Sequence, residues 1–319
     1  MGKDIRDVFF DELYKSAVID KKIIVITADA DAFGLQQFKE NIPDRFINIG
    51  VAEQNMINVA AGLALRGKKV FVYSIIPFIT MRCFEQIKFN LSGMNLDVVI
   101  VGVGTGFSFG FDGPSHHGII DISIMRSIPN MEIYNPCDEN STINSFHSAY
   151  RSITPTYIRL DKGQFDDIYK FEELSKAEDR YIYNHDIVEY KYLTENRNSN
   201  ILVISTGYTT HVVKEYIKQC PKEIKNISFI DVYKLKEFPD INLKNYKHII
   251  VVDENSWSGG LFTIICENVA INGYNTRVHP ITALGIEYLI YGDRKYLLEK
   301  NNITSKKIQE VIMGCKNEI

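Results

Sequence analysis

No two of the five cysteines (Cys83, Cys137, Cys220, Cys266 and Cys315) form a CxxC pair, so a zinc site is not expected. Scattered thiols of this kind suit a reducing compartment, and a cytoplasmic location is expected. There is no long basic block either: 36 Lys and Arg stand against 40 Asp and Glu, leaving a net charge of −4. That balance argues against nucleic acid as the main partner. Long apolar runs are missing too; "VVIVGVG" is strand-length, so neither a membrane span nor a signal peptide is expected. No Walker-type GKS or GKT follows any glycine-rich stretch, and no GxGxxG opens a helix. Internal repeats and low-complexity tracts are also absent.

What is present is an alternation. Short runs rich in Val, Ile and aromatics ("KKIIVITAD", "RFINIGV", "KVFVYSI", "LDVVIVGVG", "MEIYNP", "PTYIRL") are separated by helical patterns. Those patterns fall at Ile5–Ile19, Glu53–Arg66, Phe78–Leu91, Ile119–Arg126 and Glu139–Arg151. Apolar strands alternating with helices predict a mostly parallel α/β sheet covered on both faces. A charged, Tyr-rich stretch follows, ending "TENRNSN", and then a second, shorter alternating series. The expected division is a domain over 1–165, a linker over 166–199 and a smaller α/β domain over 200–319. The second series predicts helices at Thr210–Cys220 and Gly260–Asn272.

Parallel sheets gather ligands at the carboxyl ends of their strands, so the strand-to-loop junctions are where chemistry is sought. Four junctions carry candidates: "TADADAFG" with Asp29, "GVAEQN" with Val51 and Glu53, "YSIIPF" with Ile75 and Phe78, and the loop "GTGFSFGFDGPSHHG". Glu53 opens a helix whose apolar stripe is expected at Met56, Val59, Ala60, Leu63 and Ala64. An acid in a first turn suits the helix dipole. Its apolar flanks also allow a desolvated carboxyl group suited to proton transfer. Phe78 reads as core or as a platform for a planar ring. In the glycine-rich loop, Asp112, Ser115, His116 and His117 hint at a triad, but no GxSxG nucleophile elbow is expected, which disfavours a hydrolase. Adjacent histidines diverge, so a metal site there is disfavoured. Lys162, after the last strand of the first series, reads as a solvated lysine or as a cation for a substrate phosphate.

In this order and spacing, "PDRFINIGVAEQNM", "AAGLALRGKKVFV", "RCFEQIK", "DGPSHHG", "TPTYIRLDKG" and "VVDENSWSGGL" resemble the thiamine-diphosphate-dependent transketolase family, including 1-deoxyxylulose-5-phosphate synthases. The resemblance implies a pyrimidine-binding domain followed by the family's C-terminal domain. The diphosphate-binding domain, with its Gly-Asp-Gly signature, has no counterpart, since no GDG occurs. By that resemblance the chain is expected to be the small subunit of a split transketolase, inactive alone. A separate N-terminal subunit would hold the diphosphate and Mg2+ (or Ca2+), in a heterotetramer of two large and two small chains. The expected reaction is transfer of a two-carbon ketol unit from a ketose to an aldose, with sugar or sugar-phosphate substrates.

The resemblance also assigns roles. Glu53 falls where the family's glutamate hydrogen-bonds the aminopyrimidine and shares a proton with it. Phe78 falls where an aromatic stacks on the pyrimidine; Ile75 and Met81 stand where transketolases often carry further aromatics. Val51 and Asp29 fall beside the cofactor pocket. Asp112 and His116 match residues that contact the sugar's hydroxyls. Arg6 and Lys162 match positions that hold the acceptor's phosphate, the second usually an Arg. Gly104 stands where ordinary transketolases present a histidine to the donor. The rival expectations are a deoxyxylulose-phosphate synthase-like activity, a 2-oxoacid dehydrogenase β-like subunit, and a non-catalytic scaffold.

Overall fold

The computed structural model describes residues 3–170, 189–196, 198–283 and 290–318. It divides into two compact units: residues 1–105 with 124–188, and residues 106–123 with 189–319. Of the expected linker, 166–199, residues 171–188 and 197 lie outside the described ones; within it Tyr190–Thr194 is a strand.

In the first unit the strands are β1 (Ile23–Thr27), β2 (Phe46–Asn48), β3 (Lys69–Ile75), β4 (Val98–Val103), β5 (Glu132–Tyr134) and β6 (Thr156–Leu160). They lie in the order β5-β6-β4-β3-β1-β2, and each of these pairs is parallel. Every residue of β1, β4 and β6 is buried, as expected of parallel strands covered on both faces. The helices are α1 (Ile5–Ile19), α2 (Gln36–Asn41), α3 (Glu53–Leu65), α4 (Ile76–Thr80), α5 (Phe84–Gln86), α6 (Asp121–Arg126), which runs across the boundary between the units, and α7 (Glu139–Arg151). The start of α7 is fixed by a capping box on Asp138, whose second oxygen accepts from the backbone N–H groups of Ile168 and Tyr169 at 2.7 Å each.

Two expectations are corrected here. The buried face of α3 is Glu53, Met56, Ile57, Ala60 and Ala61, not the stripe through Val59, Leu63 and Ala64. The face is rotated so that the acid shares it. The predicted helix over Phe78–Leu91 is broken. α4 starts at Ile76 with Pro77 in its first turn, the chain turns at residues 81–83, and after α5 it continues as a π-helix over Ile87–Ser92. Cys83, with φ −105° and ψ 10°, is not helical. Periodicity alone does not register such a turn, because the apolar spacing survives it.

In the second unit the sheet order is β12 (Arg277–Ala283), β11 (His248–Ser256), β8 (Ile201–Ser205), β9 (Ile227–Val232) and β7 (Tyr190–Thr194). β7 pairs antiparallel with β9 and the other pairs are parallel. A short strand, β10 (Lys234–Lys236), follows β9. Helices span Thr209–Gln219, Leu261–Ile271, Arg294–Lys300 and Ser305–Asn317. The core of this unit takes in Phe107 and Ile119, so the loop of residues 106–123 is anchored here. Among the described residues, no helix is long and apolar enough to cross a membrane.

Candidate active site

Glu53 is the first residue of α3, reached through a turn after β2, and is 3% exposed. Its Oε2 accepts a hydrogen bond from Arg82 Nη1 at 2.7 Å. Among the described residues no donor engages its Oε1. Arg82 lies in the turn that breaks the predicted helix, and Gln54 Nε2 donates to its carbonyl at 3.0 Å. The Arg82 guanidinium sits over the half-buried Phe78 ring, 4.5 Å from its centroid, a cation–π contact. The structure thus brings Glu53, Phe78 and Arg82 together. Beneath them Cys83 donates to the Phe78 carbonyl, and burial, then the Glu53 charge, push its thiol up to about 12. It stays protonated and is no nucleophile at neutral pH.

Around this cluster Ile75 is half-buried at the end of β3, while Met81 and Val51 are 41% and 74% exposed. Asp29, after β1, is exposed and adopts φ 57°. Asn48, at the end of β2, accepts from the Asp29 N–H at 3.0 Å and donates to its Oδ1 at 3.2 Å, tying these two strand ends together.

At the other side of this sheet, the Ile5 N–H donates to the Gly163 carbonyl at 3.0 Å. That bond brings the start of α1, with Arg6, to the turn that carries the exposed Lys162. The Arg6 side chain is 17% exposed and lies 3.9 Å from Asp4 and 4.0 Å from Asp7, with the Tyr73 hydroxyl in its electrostatic neighbourhood. Burial, the largest effect, raises the Tyr73 hydroxyl to about 12, so it remains a neutral partner. Next to Lys162, the buried Asp161 accepts from Thr105 Oγ1 at 2.8 Å. Gly104, between β4 and Thr105, has φ 100°, a conformation that side chains with a Cβ avoid. The absence of a histidine there is therefore built into the backbone.

Asp112 and His116 belong to the second unit. Asp112 is exposed; His116 is half-buried, with Nδ1 2.9 Å from Ser115 Oγ. His117 is 2% exposed and packs edge-on against Phe107, so the neighbouring imidazoles do diverge. The loop is shaped by Gly113, at φ 79°, where a Cβ would lie 1.9 Å from Tyr291. "GFSFG" in this loop has the GxSxG spacing, but Ser108 lies in a turn that leads to no strand–helix elbow. Its hydroxyl has no hydrogen-bond partner among the described residues, so no base activates it.

Sequence reasoning assigned no role to Arg82 or Asp161. Arg82 stands 29 residues from Glu53, and nothing in a linear pattern pairs them.

The structure thus presents a strand-end cluster of one buried acid and one aromatic face on a parallel sheet. Residues 2–166 match the family described as transketolase, pyrimidine binding domain. The chain belongs to the transketolase family. The second subunit of the apulose-4-phosphate transketolase of Phocaeicola vulgatus is 28% identical, over 96% of this chain and 97% of its own length. The 1-deoxy-D-xylulose-5-phosphate synthase of Syntrophomonas wolfei is 27% identical over 98% of this chain but only 48% of its own. A solved structure of a split gene transketolase, an inactive beta4 tetramer, superimposes with a TM-score of 0.80 at 25% identity, covering 98% of both chains. The transketolase family depends on thiamine diphosphate. The donor set here fits the cofactor's aminopyrimidine half: a buried carboxyl with one oxygen disengaged, next to an aromatic ring among apolar neighbours.

Proposed function

We propose that this chain is the pyrimidine-side subunit of a two-component transketolase, moving a two-carbon ketol unit from a ketose to an aldose. The observation that carries the reading is the buried Glu53 with Oε1 disengaged, in a chain matched end to end by one subunit of an apulose-4-phosphate transketolase. Bound thiamine diphosphate would supply the nucleophilic carbon that attacks the ketose carbonyl. Glu53 holds a proton at Oε1 for the aminopyrimidine ring, and Arg82 keeps the carboxyl oriented through Oε2. Phe78 offers the stacking face; Ile75, Met81, Val51 and Asp29 line the pocket around it. Arg6 and Lys162 attract the substrate phosphate, and Asp112 and His116 bind its hydroxyls, His116 exchanging a proton with a reacting oxygen. Lys162 supplies charge without the two-pronged geometry of an arginine, which suits a phosphate held at one oxygen.

A separate diphosphate-binding subunit would hold Mg2+ (or Ca2+) and the diphosphate, in a cytoplasmic heterotetramer of two large and two small chains. The beta4 assembly of a split relative, itself inactive, supports the prediction that the purified chain alone turns over nothing. Activity is expected once a separately purified diphosphate-binding transketolase subunit is added, with apulose 4-phosphate as the first donor to try. Full turnover by the lone chain would overturn the subunit reading. The full-chain match to a deoxyxylulose-phosphate synthase favours one second reading. Condensation of pyruvate with glyceraldehyde 3-phosphate by the same complex would establish it instead.

A further inference from the structure

The second unit holds three groups that converge at the amino ends of β11 and β12, opposite the carboxyl ends of those strands. His248 opens β11, and His279 lies on the adjacent β12, two positions along the ladder because Ile250 pairs with His279. Residues two apart on a strand share a face, so both imidazoles project to the same side of the sheet. The last turns of the helix Ser305–Asn317 bring Cys315 to that side. His248 Nδ1 is 3.1 Å from His279 Nε2, and Cys315 Sγ is 3.6 Å from the same nitrogen. The three ligand atoms lie within 4.8 Å of one another.

Hydrogen bonding does not satisfy this arrangement. A ring nitrogen carries either one proton or one lone pair, so His279 Nε2 can serve only one of its two neighbours. A cation satisfies all three at once. Tetrahedral zinc, with bonds of about 2.0 Å to nitrogen and about 2.3 Å to sulfur, spaces N from N by about 3.3 Å and N from S by about 3.5 Å. The observed separations of 3.1 and 3.6 Å match two edges of that geometry, and the third, within 4.8 Å, has to close by a side-chain movement of about 1 Å. His248 and Cys315 are 5% and 2% exposed, while His279 is half-buried and provides the way in.

We propose that His248, His279 and Cys315 form a zinc site, with solvent as the fourth ligand, that staples the C-terminal helix to β11 and β12. Binding displaces the thiol proton to solvent and leaves a thiolate on the metal. One thiolate and two imidazoles select zinc over magnesium, which prefers oxygen ligands. The site lies outside residues 2–166 and does not depend on the transketolase reading.

The test uses the full chain, stripped of metal with a chelator and titrated with Zn2+ alone and with Co2+ alone. The expected result is one ion per chain, a sulfur-to-cobalt charge-transfer band, no displacement by excess Mg2+, and a rise in melting temperature with Zn2+. His279→Gln and Cys315→Ser should each weaken binding at least about tenfold, and Cys315→Ser should abolish the band. Should Cys315→Ser fail to fold by circular dichroism, His248→Gln supplies the same affinity comparison with the thiolate intact. Absence of the band in the parent chain, or equal zinc affinity in the folded variants, would overturn the site.

Discussion

In each unit a glutamate pairs with an arginine that is stacked on an aromatic ring. In the first, Arg82 lies over Phe78 at 4.5 Å and reaches Glu53 with a single nitrogen. In the second, Arg294 lies over Tyr208 at 3.5 Å and grips both oxygens of Glu254, through Nε at 2.7 Å and through Nη2. Both glutamates are buried, but Arg82 is 44% exposed and Arg294 only 14%. A two-pronged, enclosed pair exhausts its carboxylate and locks the helix Arg294–Lys300 to β11. A one-pronged pair with an open arginine leaves an oxygen for a ligand. The same two residue types make a brace in one place and, by the proposed function, a proton-handling group in the other.

The largest expected effect separates the two glutamates by function. In the reconstituted complex, Glu53→Gln should lower kcat about 100-fold or more, with assembly and melting temperature nearly unchanged. Glu254→Gln should leave kcat of the folded enzyme near normal. Steady-state kinetics on both variants measures this, and comparable losses would erase the distinction. The next effect separates the arginines by stability. Arg294→Ala removes two bonds from an enclosed carboxylate and should cost about 3 kcal/mol in denaturant unfolding, against a smaller loss of about 1–2 kcal/mol for Arg82→Ala, where one bond is lost and water can enter the open arginine site. The smallest concerns a carboxylate in neither pair. His147, whose Nε2 lies 3.6 Å from the carboxylate, and then the hydrogen bond from Lys15 hold Glu12 down at about 2 from its usual 4.5. A depressed acid stabilises the fold above its unfolded value, so this contribution is present above pH 4.5 and is lost as pH falls toward 2. Melting temperature against pH should fall less steeply across that window in Glu12→Gln than in the parent chain.

Much of the fold is legible in the linear pattern. The spacing of apolar residues places α1 and α7 to the residue, because each carries a periodic face and a defined start, Asp4 and Asp138 serving as caps. The fully buried strands announce themselves as unbroken Val and Ile runs. The turn at Met81–Cys83 is not legible, since it depends on what the turn packs against rather than on local preference. Glu53 is visible as an odd acid at a strand-to-helix junction. Its rotation onto the buried face of α3 and its pairing with Arg82 are not visible there.

The amino-acid sequence alone determined the alternation of strands and helices, the parallel sheet and the strand ends where polar groups gather. Those follow from local periodicity and from burial that any α/β chain must achieve. Only the tertiary structure decided which side chains meet. His248, His279 and Cys315 are separated by 31 and 36 residues, with no spacing that a zinc motif would show. They converge because parallel strands bring residues of the same face side by side and a later helix closes over them. Contact between residues distant in sequence is a property of packing, and packing is where the partner of Glu53 was chosen as well.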